Sequence, residues 1–121
     1  TEKGADWKEW SETRVAELLD EGTPVYVDFT AQWCATCQLN KKRAYPPEVV
    51  ALMESKGIVA LKADKTSPSP EIESALAGLG RSASPVNVLY VPGEDPIITP
   101  ELLSPDYLTE LFRDEVPDPE E

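Results

Sequence analysis

An α/β domain, with a central mixed sheet of four to five strands and helices on both faces, is the fold class the sequence predicts. Two observations carry it. Short β-branched and aromatic segments alternate along the chain with stretches at helical spacing, and one of them, "PVYVDFT", is apolar enough for burial on both faces apart from a single aspartate. At 121 residues the chain has room for one domain, taken as 1–121 with flexible ends at about 1–5 and 115–121, the acidic "DEVPDPEE" tail among them.

The elements follow in order. "DWKEWSETRVAELLDEG" places Trp7, Trp10, Arg14 or Val15 and Leu18 at helical spacing, with Gly22 and Pro24 as the stop. "PVYVDFT" (24–30) is a strand, and after Cys34 the chain turns helical through "ATCQLNKKRA". "YPP" interrupts that helix, and "PEVVALMESKG" resumes with Pro47 in a first-turn position. "IVALKAD" (58–64) is a second strand, and "EIESALAGLG" is a helix closed by Gly80. "VNVLYV" is a strand directly preceded by Pro85. "PGEDP" is a turn, "IIT" a short strand paired back across it, and "SPDYLTELFRDEV" a last helix with Ser104 as N-cap. No internal repeat is present.

Composition narrows the function. With 40% apolar and 28% charged residues the chain reads as soluble and globular, and no run approaches the roughly 20 apolar residues of a membrane-spanning helix. A net charge of −12 without any histidine argues against nucleic acid, which needs clustered Lys and Arg. The chain begins at Thr1 with no legible signal peptide, so it is expected to be an excised or processed piece whose targeting information lies upstream.

Both cysteines, Cys34 and Cys37, fall in "QWCATCQ". A closed zinc site wants four Cys or His ligands, and two thiols without imidazole fall short, although two thiolates suit Cu(I). A structural crosslink across one helical turn would restrain almost nothing. Redox exchange needs one thiolate and a second thiol in reach, and the spacing provides both. Cys34 would sit at the start of a helix, where unpaired amides and the dipole favour an anion. Cys37, one turn in and more buried, would be the resolving thiol. Asp28 lies inside the preceding strand, where apolar surroundings raise a carboxyl's proton affinity so that it can exchange protons with a thiol; a partly solvated strand-end aspartate is the alternative. Trp33, beside Cys34, reads as a lid over the site or as a hydrophobic plug. Lys41, Lys42 and Arg43 read as a solvated helix face, or as a basic patch favouring thiolate.

On "VDFTAQWCATCQLNK", "LKADKT", "PEIESALAGLGR", "SPVNVLYVPG" and "PIITPELLSPDYLTELF", the chain from about Trp7 to Phe112 resembles the C-terminal thioredoxin-like domain of the DsbD family of thiol:disulfide interchange proteins. The resemblance implies a thioredoxin fold and a protein-disulfide reductase that relays electrons. Its redox centre would be the Cys34–Cys37 disulfide, with no other cofactor and no metal. It further implies that Cys34 is the nucleophile, Cys37 the resolving thiol and Asp28 the buried acid. Pro85 corresponds to a cis-proline facing the pair, with the backbone of Ser84 pairing to an incoming segment beside Trp33. The implied setting is the periplasmic side of a bacterial inner membrane. The donor would be a transmembrane domain of the same polypeptide and the acceptor a periplasmic thiol protein, the isolated domain being monomeric. Two departures bear on partner choice and redox poise: Ala83 and Ser84 stand where the family often has Gly and an aliphatic residue, and Lys41 stands where a carboxylate is common. A free-standing periplasmic thioredoxin-like reductase, a Cu(I)- or Zn(II)-binding module and an interaction domain with incidental cysteines remain the alternatives.

Overall fold

The computed structural model describes residues 6–83 and 85–119. Its strands are β1 (Lys8–Glu9), β2 (Val25–Thr30), β3 (Val59–Asp64), β4 (Val86–Tyr90) and β5 (Ile97–Ile98). Its helices are α1 (Glu12–Asp20), α2 (Ala35–Arg43), α3 (Pro47–Ser55), α4 (Pro70–Gly78) and α5 (Pro105–Glu115). The strands form one mixed sheet in the order β1-β3-β2-β4-β5. β2 runs parallel to β3 and antiparallel to β4, and the two edges are the two-residue strands β1 and β5.

β2 is central because every one of its residues is buried, as a strand covered on both faces must be. Side-chain alternation then assigns each residue a layer. Val25, Val27 and Phe29 join Leu61, Val86 and Val88 under α1 and α4, whose contributions are Val15, Leu18, Ile72 and Leu76. Tyr26 joins Ala60 and Leu89 on the opposite face with Val49 and Met53 of α3 and Leu108, Leu111 and Phe112 of α5. The expected helices on both faces are therefore present.

The helix boundaries follow from their caps. Ser69 and Ser104 accept from the amides of Ile72 and Tyr107 at the starts of α4 and α5, each of which has proline in its first turn. α2 and α3 are separate because Pro46 and Pro47 withhold amide donors, and Pro47 opens α3. After α4, Gly80 takes φ +77°, a left-handed turn that a side chain would strain, and the Arg81 amide returns to the Leu76 carbonyl.

Two expectations are corrected. The first helix does not begin near Trp7. Ser11 caps it by accepting from the Arg14 amide, and Lys8 and Glu9 pair instead with Leu61 and Lys62. Residues three apart share a helix face but take opposite sides of an extended segment. Trp7 accordingly packs against Tyr45 and Tyr26, ring centroids 5.4 and 6.1 Å away, whereas Trp10 packs on Phe29 in the other layer at 5.8 Å. The acidic tail is also not loose from residue 115 onward. Val116 is buried, the Lys56 ammonium donates to its carbonyl at 2.7 Å, and Asp118 pairs with the same ammonium at 3.3 Å. The expected ends 1–5 and 120–121 lie outside the described residues.

Phe112 is fully buried, edge-on to Tyr26 at 5.5 Å, and ties α5 to the sheet. Phe112→Ala is expected to lower unfolding free energy by about 3–5 kcal/mol, read as a reduced urea midpoint.

Candidate active site

At the end of β2 the chain passes from a buried strand into α2 within four residues. Cys34 is the N-cap of α2, with extended backbone (φ −97°, ψ 106°), and the Cys37 amide donates to its Sγ at 3.2 Å. The loop is held from both sides. The Cys34 amide and the Gln38 side chain both donate to the Ala31 carbonyl, at 3.2 and 2.9 Å. Cys34 and Cys37 are joined by a disulfide with Cα atoms 5.2 Å apart, and they pack with Ala31 in a small buried cluster. Cys37 is the deeper of the two at 3% exposure against 7% for Cys34, the order the sequence led us to expect.

Asp28 is buried on the Tyr26 side of the sheet, so the solvated strand-end alternative is excluded. Its register neighbours are Asn87 on β4 and Lys62 on β3. Asn87 Nδ2 donates to Asp28 Oδ1 at 2.9 Å. Burial pushes the Asp28 carboxyl up to about 6, with the Asn87 amide, Lys41 and Lys62 opposing the rise and Asp64 adding to it. Thr30, two residues nearer the cysteines on the same face, has a buried hydroxyl with no partner among the described residues.

Trp33 is 61% exposed and is therefore no plug. Its indole N–H donates to the Thr66 carbonyl at 3.3 Å, and the Lys65 ammonium lies 5.9 Å from the ring centroid. Lys65 is itself buried and paired with Glu73 at 3.3 Å. The Gln32 amide donates to the Thr66 hydroxyl at 2.8 Å. Thr66 in turn donates through hydroxyl and amide to the Asp64 carboxylate, which holds that carboxyl below its usual range. The loop after β3 thus fixes Trp33 as an exposed platform beside Cys34.

Pro85 is buried immediately before β4, whose first residue pairs with Phe29. One step further along that register brings Pro85 opposite Thr30, at the end of β2 where the cysteine loop starts. Ser84 lies outside the described residues, and the Ser84–Pro85 bond with it. Lys41, Lys42 and Arg43 are exposed in the last turn of α2, where cations suit the helix C-terminus. Among the described residues no group of three or more metal-ligating side chains occurs.

Three residues that sequence reasoning passed over build the site. Asn40, buried on α2, donates to the Glu101 carbonyl at 2.9 Å and accepts from the Leu103 amide at 3.0 Å, clamping the active-site helix to the loop before α5. Thr66 positions Gln32 and Trp33. Asn87 meets Asp28, and the signal for it was available: a lone amide inside "VNVLYV" is as anomalous as the aspartate inside "VYVDFT".

The raised carboxyl makes stability depend on pH. Between the unfolded value near 3.8 and the folded value near 6 the native state binds the extra proton, so Asp28's contribution falls as pH rises through that window. Asp28→Asn removes the buried charge. It is expected to stabilise the oxidised protein by about 2 kcal/mol at pH 7.5, with the gain vanishing below about pH 4, in urea titrations at the two pH values.

A family model described as thioredoxin-like matches residues 6–92. No curated protein matches the sequence. Among solved structures, the oxidised C-terminal domain of DsbD from Neisseria meningitidis is similar with 19% identity and a TM-score of 0.68, over 88% of this chain and 97% of that one. A thioredoxin variant from Halobacterium salinarum is 23% identical with a TM-score of 0.68, over 97% of both chains. A thioredoxin from Thermus thermophilus is 19% identical with a TM-score of 0.71, over 92% of this chain and 86% of that one. At such identities the likeness establishes the thioredoxin fold.

Proposed function

The chain belongs to the thioredoxin-like family, and from that premise we propose that it is a protein-disulfide reductase domain that relays electrons through Cys34 and Cys37. The observation that carries this reading is the disulfide at the start of α2, with the outer sulfur receiving the Cys37 amide. In the reduced state the same amide and the helix N-terminus favour a Cys34 thiolate. That thiolate attacks a partner disulfide, forming a mixed disulfide and releasing one partner thiolate. Asp28 takes the proton from Cys37, whose sulfur attacks Cys34, and the second partner thiolate leaves. Two electrons pass to the partner, the domain is left as its Cys34–Cys37 disulfide, and a dithiol donor restores it. Pro85 and the exposed face of Trp33 bound the approach to Cys34.

The finer reading is the periplasmic C-terminal domain of a DsbD-type membrane reductant conductor. Its donor would be a transmembrane domain of the same polypeptide and its acceptor a periplasmic thiol domain. The sequence motifs and the similarity to the Neisseria domain support it. The equal similarity to archaeal and bacterial thioredoxins favours a second reading, a free-standing thioredoxin-like reductase. The reading frame upstream of Thr1 separates them: several hydrophobic spans support the first, a bare signal peptide the second.

Cys34→Ser is expected to abolish reduction of a protein disulfide. Cys37→Ser should instead accumulate a long-lived mixed disulfide visible by non-reducing electrophoresis. Full activity in Cys34→Ser would refute the assignment.

A further inference from the structure

Asp28 and Asn87 occupy paired positions on β2 and β4, 6% and 2% exposed, on the face that carries Tyr26 and Leu89. An amide is poorly suited to a central strand, and burying it is unfavourable unless it is hydrogen-bonded. Its Nδ2 donates to Asp28 Oδ1 at 2.9 Å, and the same amide also bears on the neighbouring Tyr26 hydroxyl. Oδ2 receives no hydrogen bond from the described residues, so Asn87 occupies one carboxylate oxygen and leaves the other open. The Asn87 backbone carbonyl accepts from Thr99 at 3.0 Å, which fixes the strand from which the amide reaches.

We propose that Asn87 is a positioning residue for Asp28, holding Oδ1 through its amide so that Oδ2 is the atom that takes the proton from Cys37. This rests on the thiol-exchange reading above. The other groups bearing on Asp28 are Lys41 from α2, Lys62 and Asp64 from β3, Tyr26 from its own strand and Tyr45 from the segment before α3. The two lysines favour the charged carboxylate and Asp64 opposes it. The two tyrosines donate or accept between themselves at 2.9 Å, and burial keeps both hydroxyls neutral. Asn87 is thus the uncharged group that supports the carboxylate through direct contact, and its loss should raise the pH at which Asp28 gives up its proton.

The test is the titration of the Asp28 carboxyl carbon by NMR, with the pH–rate profile of disulfide reduction, in the wild type and in Asn87→Leu and Asn87→Val. Both variants should move the carboxyl midpoint and the acid limb upward by about one pH unit, near a tenfold loss of rate below the midpoint with little change well above it. Asn87→Thr, which keeps a donor, should recover part of the shift. In the wild type the Asn87 side-chain amide protons should titrate with the Asp28 midpoint, a readout that needs no variant. A merely structural role would lower the rate equally at every pH. Unmoved midpoints in the apolar variants, or Asn87 amide protons indifferent to the Asp28 titration, would overturn the proposal. A wild type inactive towards disulfides at every pH would instead overturn the thiol-exchange reading, and the coupled titration would still be measurable.

Discussion

The hydrogen bond from the Cys37 amide to the Cys34 sulfur is the contact on which the geometry of the disulfide site depends, and it exists because a fully buried strand ends where a helix begins. β2 is fixed by neighbours on both edges and layers on both faces, so the position of Ala31 is settled by the sheet. From there the Ala31 carbonyl collects the Cys34 amide and the Gln38 side chain, and Thr66 holds Gln32. The first turn of α2 is thereby held in place. A sulfur facing a helix N-terminus needs no neighbouring cation to favour its anion. That fits a chain of net charge −12 whose basic residues on α2 lie at the far end of the helix.

The sheet separates stability from chemistry by side-chain parity. Odd-numbered residues of β2 are all apolar and enter the layer under α1 and α4, whereas the even-numbered Tyr26, Asp28 and Thr30 face the other layer. That second row brings a phenol, a carboxylate and a hydroxyl into an interior otherwise filled by Leu, Val, Met and Phe. Desolvation of these groups opposes folding, and the hydrogen bonds of Tyr26 and Asp28 recover only part of the loss. The row leads from the core to the end of β2, where the cysteine loop begins.

Much of this arrangement was legible in the residues. The strand β2, the cap at Cys34, the break at Pro46 and Pro47, the short return strand β5 and the Ser104 cap all rest on local chemistry that needs no tertiary knowledge. The edge strand β1 was not legible, because Trp7 and Trp10 stand at a spacing that satisfies a helix, and only pairing with β3 decides otherwise. Trp33 next to a cysteine could not be told from a plug until Thr66 and Lys65 arrived from the loop after β3. Asn40 and Asn87 were passed over for a similar reason: a polar residue in a helix or strand reveals its partner only when Leu103 or Asp28 is brought across from some 60 positions away. The tail was misread because acidic composition says nothing about Lys56, which lies below it in the fold.

A thiol:disulfide oxidoreductase must be stable with its bridge open as well as closed, and the short bridge favours that. Closing a loop with a sequence separation of three removes little chain entropy from the unfolded state, so the disulfide does not hold the domain together. The frame around it is supplied instead by contacts that do not involve the sulfurs: Asn40 to the Glu101–Leu103 backbone, Gln32 to Thr66, and the packing of Phe112 on Tyr26. Opening the bridge therefore breaks none of these contacts directly.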